Sequence, residues 1–190
     1  MTRSRLPVET PPHGRLPRRR RRLLGAAALA LTALAGYAVW SITVPYVLRS
    51  AITIDATPDQ VWSVLTDLDA YDEWNPFIVS SSGTVAVGAT LTNTMRDATG
   101  DMTFTPTVLA ATPGRELGWL GKLGPGGVFD GEHAFLIEAV GSGRVRLTQT
   151  EKFSGVAVPF FRGRLRDQTL PQFHAMNDAL ARRVTGPTTP

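Results

Sequence analysis

The chain has no cysteine, so disulfides and thiolate metal sites are excluded and the redox compartment is not readable from it. Histidine is nearly absent too. Of the three, His13 lies in an N-terminal tail, His133 in a strand-like segment and His174 in a helical one. No ligand spacing joins them into a metal site. There is no nucleophile elbow, no phosphate-binding glycine loop and no dinucleotide fingerprint. "GKLGPGG" is rich in glycine but lacks the spacing and the hydroxyl of a phosphate cradle, and reads as a mobile loop. No metal, cofactor or nucleic acid is expected.

The positive charge is confined to one end. Eight arginines (Arg3, Arg5, Arg15 and Arg18 to Arg22) precede residue 23, against one acid, Glu9. The rest holds 12 basic and 15 acidic side chains, a net of −3. A nucleic-acid surface needs cations spread over a folded face, which this is not. Next comes "LLGAAALALTALAGYAVWSITVPYVL", Leu23 to Leu48, without an ionisable acid or base of ordinary pKa near neutrality. A helix needs roughly 20 apolar residues to cross a membrane. A cleaved signal peptide has an apolar core of about 7–15 residues, so this run reads as an uncleaved anchor. Charge asymmetry puts the N-terminus in the cytoplasm and the C-terminal part outside. The expected organisation is a basic disordered tail (1–22), a transmembrane helix (23–48), a folded domain (49–184) and a disordered end (185–190).

In the folded part, "RSAITIDA" alternates like a strand. In "TPDQVWSVLTDLDAY", Thr57, Pro58 and Gln60 form a capping box with proline in the first turn, so a helix starts there. Asn75, before a proline, ends it. From Ile78 to Phe153 the period is two, with turn signals every 8–15 residues: an antiparallel meander. Leu91, Asn93 and Met95 share one face. "DMTFTPTVLA" reads as one strand, placed at an edge or bulge by Pro106. "RELGWLGK" is another strand, around Trp119. Leu165, Thr169, Phe173, Met176 and Leu180 form one stripe of a long helix reaching about Arg183, in which Pro171 bends the axis or breaks one hydrogen bond. The class is α+β, helices on one face of a curved sheet.

"FDGEHAFLIEAVGSGRVRLTQTEKFSG" supplies the last hairpin. If Ser142 centres its turn, His133 opposes Glu151, Phe135 opposes Gln149 and Ile137 opposes Leu147. These six, with Val145 and Phe153, face inward. Glu132, Glu138, Arg144, Arg146, Thr148, Thr150 and Lys152 form the wet side. An inward imidazole beside a carboxylate is open to two readings. It is a strut or ligand hook that satisfies its own polar groups, or a general acid/base pair. His174, next to Phe173, is expected partly outward. Trp62, Trp74, Phe77, Trp119, Phe129, Phe135, Phe153 and Met176 are core, or the lining of an apolar small-molecule cavity, with His133, Gln149 and Glu151 as its polar groups.

Four segments, "ATPDQVWSVLTDLDAYDEWNPF", "FDGEHAFLIEA", "LTQTEKFSGVAVP" and "FHAMNDAL", occur in the order that resembles the polyketide cyclase/dehydrase-type branch of the START-like (SRPBCC, helix-grip) superfamily. The resemblance spans about residues 49 to 184. It implies a curved antiparallel sheet wrapped around a long C-terminal helix, with a hydrophobic cavity between them. It also implies that Trp74 to Phe77 and Gly131 to Phe135 are cavity wall and fold signature. Members bind lipids, polyketides or other hydrophobic molecules, and a minority catalyse cyclisation or dehydration. The expectation is a membrane-anchored module that binds a hydrophobic ligand. The alternatives are a cyclase/dehydratase using His133 and Glu151, and a structural or assembly partner.

Overall fold

A computed structural model describes residues 17–97 and 100–186; His13 and most of the two expected disordered ends lie outside the described residues. The chain divides into two units, Met1–Tyr37 and Ala38–Pro190.

The first unit is most of helix α1 (Arg18–Thr43). Its apolar side chains face outward on every side, Leu29 being 73% exposed. Mean hydropathy reaches 1.8 over its most apolar window, so it is long and apolar enough to cross a membrane. The apolar run 23–48 is not all helix. Pro45 disfavours a helical Val44. The chain turns extended, and Tyr46 to Leu48 open strand β1 (Tyr46–Ile54), with Leu48 buried in the core. Hydropathy does not separate a spanning helix from the first residues of a buried strand; the proline does.

In the second unit, helix α2 (Pro58–Thr66) begins as its sequence demands. The Thr57 hydroxyl accepts from the Gln60 amide at 3.3 Å, and the Thr57 amide donates to the Gln60 side chain at 2.9 Å. Val61 and Leu65 are its fully buried residues. A 3₁₀ turn (Leu68–Ala70) and a short helix α3 (Tyr71–Trp74) follow, ending at an extended Asn75. The Asn75 side-chain oxygen then accepts from the amides of Phe77 and Ile78, turning the chain into β2 (Ile78–Gly83).

The meander is two antiparallel sheets. One runs β2–β3–β4, with β3 at Leu91–Asp97 and β4 at Gly100–Phe104. The other runs β1–β8–β7–β6–β5, with β5 at Thr107–Thr112, β6 at Glu116–Lys122, β7 at Asp130–Ala139 and β8 at Val145–Ser154. "DMTFTPTVLA" is therefore split between sheets. Buried Pro106 has no amide to donate, yet its carbonyl accepts from the Leu91 amide at 2.9 Å. With the Thr90–Thr107 bridge, this joins the sheets at one corner. As expected, the strand after Pro106 is an edge, and it is bulged between Val108 and Ala110.

Helix α4 (Val158–Arg164) widens into a π-turn (Leu165–Thr169) before α5 (Leu170–Thr185). The widening directly precedes Pro171, whose ring displaces the ordinary i→i−4 bond. Phe173, Met176 and Leu180 are fully buried, and they form the stripe that α5 turns to the five-stranded sheet, whereas Leu165 and Thr169 in the π-turn are only half-buried. On the outer face Thr148 departs from its expected wet position at 3% exposure. It lies in the middle of the sheet, between Ala51 and Leu136.

Candidate functional site

The site is built on the β7–β8 hairpin. Gly141 and Gly143 take φ of +90° and +73°, a conformation that favours glycine, and this fixes the turn about Ser142. The register follows: His133 pairs with Glu151, Phe135 with Gln149 and Ile137 with Leu147. On the wet side Lys152 meets Glu132 at 2.8 Å.

His133 is 3% exposed and held on every side. Trp119, its cross-strand neighbour on β6, stacks on the imidazole with centroids 4.9 Å apart and planes at 7°. Phe173 of α5 meets it edge-on at 5.2 Å. Its Nε2 lies 3.1 Å from the Gln149 amide nitrogen, and its Nδ1 lies 2.6 Å from Glu151 Oε2. An amide nitrogen only donates, so Nε2 accepts and the ring proton sits on Nδ1, donating to the carboxylate. Gln149 is fully buried and also reaches the Met176 sulfur at 3.6 Å. The chain Met176–Gln149–His133–Glu151 thus runs from α5 along the inner face of the sheet to a carboxylate.

That carboxylate opens on a cavity of about 340 Å³ between the two sheets. Six of the sequence-derived candidates line it: Phe77, Trp119, Phe129, His133, Glu151 and Phe153. Phe135, Gln149 and Met176 sit in the layer of core directly around His133. Trp62 and Trp74 are elsewhere. Trp62 borders a separate hollow with Asp67 and Pro113, and Trp74 packs edge-on against Tyr71. Periodicity put both tryptophans on or near a core-facing helix but did not say which side of that helix the cavity lies on. Tyr71 itself is buried, and burial, aided by the Asp67 charge, pushes its phenol well above the usual tyrosine range.

The sequence reading missed the opposite wall, Met95, Met102 and Phe104 from β3 and β4. Their alternation was visible; the division into two sheets was not. It also missed two glycines. A Cβ on Gly131 would collide with Glu151 Oε1, and one on Gly121 would touch the Phe104 ring at 3.4 Å. The "GKLGPGG" loop is tied down, contrary to its flexible composition. Leu123 donates to the Phe129 carbonyl, Gly127 donates to Asp130 Oδ2, and the Gly127 carbonyl accepts from Val156. His174 is exposed as expected, yet its Nδ1 accepts from Ser50, which in turn accepts from Asn177. Among the described residues no three His, Asp or Glu side chains gather as a metal site.

Antiparallel strands packed on a long C-terminal helix are the helix-grip arrangement, but the cavity lies between the two sheets and not, as expected, between sheet and helix: among the described residues none of α5 is in its lining. The sequence profile of the polyketide cyclase/dehydrase and lipid transport family matches residues 46–185, and the chain belongs to that family. Among solved structures it is similar to the Zhui aromatase/cyclase from a Streptomyces species, at TM-score 0.61 and 17% identity, covering 75% of this chain and 97% of that one. It is also similar to a START superfamily protein from Mycobacterium smegmatis, at TM-score 0.55 and 19% identity, covering 73% and 96%. Norcoclaurine synthase from Thalictrum flavum gives TM-score 0.58 at 16% identity, covering 77% and 98%. Identities this low speak for the fold alone. No curated protein sequence matches the chain.

Proposed function

We propose that this protein binds a hydrophobic small molecule or lipid in the cavity between its sheets, and that α1 anchors it in a membrane with residues 46–185 on the extracytoplasmic side. The observation that carries this reading is the cavity itself. Phe77, Phe129, Phe153, Met95 and Met102 give it apolar walls, and the polar side chains among them are Glu151 backed by His133, with Thr103, Thr105 and Lys122. Apolar clefts of a few hundred Å³ with few polar groups are the usual small-molecule sites. A further contact favours loading from lipid. Phe129, on the cavity, packs edge-on against Phe161 of α4 at 6.0 Å. The next residue, Arg162, lies over the rings of Trp40, near the end of α1, and Tyr46. Phe129, Phe161 and Arg162 thus link the cavity wall to Trp40 and Tyr46.

A second reading, an enzyme of the cyclase or dehydratase type, draws on the His133–Glu151 bond. In that case the proton passes through Glu151, because both nitrogens of His133 are engaged, and His133 is a positioning residue.

Native mass spectrometry of the full chain released from mild detergent tests the binding reading. A co-purified hydrophobic adduct is expected. Protein that is repeatedly empty and takes up no fluorescent lipid analogue overturns it. A C-terminal phosphatase fusion tests the orientation; it is expected to be active outside the cytoplasm.

A further inference from the structure

The cavity wall carries more chemical information than its apolar lining. Glu151 uses Oε2 to accept the Nδ1 proton of His133, and its side chain is 15% exposed. Among the described residues Oε1 has no hydrogen-bond partner. It lies against the bare Cα of Gly131, where the space for it exists only because that residue has no Cβ. With the Gln149 amide nitrogen toward the ring, the chain behind it has one direction. Gln149 donates to His133 Nε2, His133 donates through Nδ1, and Glu151 can only accept. A carboxylate already given one hydrogen bond from behind therefore presents acceptor capacity, and no donor, to the cavity. The rings of Trp119, Phe135 and Phe173 around the imidazole prevent the arrangement from turning over. The cation in the cavity lining is Lys122, which is exposed.

We infer that the ligand is an apolar molecule bearing a hydrogen-bond donor, a hydroxyl or an amine, and that Glu151 Oε1 receives it. This rests on the cavity-binding reading and specifies the ligand class within it. A burial site that leaves a carboxylate oxygen unpaired is costly once water is expelled, so a ligand lacking the donor is selected against. A ligand carboxylate faces like charge at this wall.

Four matched probes test it on the full chain in mild detergent, by calorimetric titration: naphthylethanol, naphthylethylamine, ethylnaphthalene and naphthylacetate. The alcohol and the amine are expected to bind about tenfold or more tightly than the hydrocarbon, the size of one hydrogen bond to a charged acceptor. The acetate is expected to bind weakest. If the amine exceeds the alcohol, the ion pair adds to the hydrogen bond; if they are equal, the donor alone is read. The Glu151→Gln variant supplies the second arm. His133 Nδ1–H holds its amide oxygen, so its amide hydrogens face the cavity, and the order is expected to reverse in favour of the acetate. A hydrocarbon that binds as well as the alcohol overturns the inference while leaving cavity binding intact. So does a wild-type protein that prefers the acetate, which would assign recognition to Lys122. No binding by any probe overturns both.

Discussion

The carboxylate of Glu151 occupies the space that a Cβ on Gly131 would need. The two residues lie on neighbouring strands, Gly131 opposite Phe153 and Glu151 opposite His133, so the contact runs diagonally across the sheet. Gly131→Ala is therefore expected to displace the acid and stretch its 2.6 Å bond to His133. Loss of a hydrogen bond to a charged group, with partial repacking, costs about 1–3 kcal/mol. Chemical denaturation of the full chain in detergent measures it. The chemical shift of the His133 Nδ1 proton moving upfield in the same variant ties the loss to this bond. An unchanged shift detaches the glycine from the pair.

Much of this site was readable from the sequence, for local reasons. A glycine-flanked turn and a strict period of two leave little freedom in a hairpin, so turn arithmetic alone paired His133 with Glu151 and Phe135 with Gln149. The α2 capping box was equally local. What the sequence hid was long-range. Met102 and Phe104 become one cavity wall only because β4 leaves β5 for a different sheet at Pro106. Trp62 shares the helix of Val61 and Leu65 but faces another hollow, and amphipathic spacing does not resolve neighbours on one helix that closely. Thr148 looked wet because its period was right, while its central strand position buries it.

His133 and Glu151 separate the strut from the acid/base reading when changed one at a time. His133→Ala leaves a void among Trp119, Phe135 and Phe173 and a carboxylate without its partner. Together these cost about 3–5 kcal/mol. Glu151→Gln keeps both shape and acceptor and is expected to cost no more than about 1–2 kcal/mol. Urea denaturation reads both. Two variants with near-native stability and no turnover of a cyclisation substrate would instead favour the enzyme.

Tyr71 gives a pH dependence with a definite sign. Its phenol is buried and donates to the Leu65 carbonyl at 2.7 Å, and its folded pKa is raised above the ordinary 10.0. Its contribution is fully present below about pH 10, where the phenol is protonated in both states. Above that, the unfolded chain loses the proton and the folded one keeps it. Stability from this group then falls by about 1.4 kcal/mol per pH unit. Tyr71→Phe is expected to flatten that part of the profile while lowering the plateau, since the Leu65 carbonyl loses its donor. A Tyr71→Phe profile as steep as the wild type above pH 10 removes Tyr71 as the source.

Gly155 joins the loop over the cavity to the end of α1. It has φ of +124°, and its amide donates to the Ser41 carbonyl at 2.9 Å, satisfying one of the orphan acceptors of the helix terminus. A Cβ there would drive into the Val128 carbonyl, in the segment whose Gly127 and Val128 carbonyls accept from Val156 and Ala157. Gly155→Ala therefore combines backbone strain with a collision against main chain, and is expected to cost at least about 2 kcal/mol. Gly141→Ala is the control: φ is +90°, but nothing lies within 4 Å of the added carbon. Strain alone there costs about 1 kcal/mol. Hydrogen exchange distinguishes the two. In Gly155→Ala the Val156 and Ala157 amides are expected to lose protection selectively, because the Gly127–Val128 segment has been pushed away. Equal costs and unchanged exchange in the two variants would mean the loop yields without resistance, and that it is not held against the cavity by Gly155.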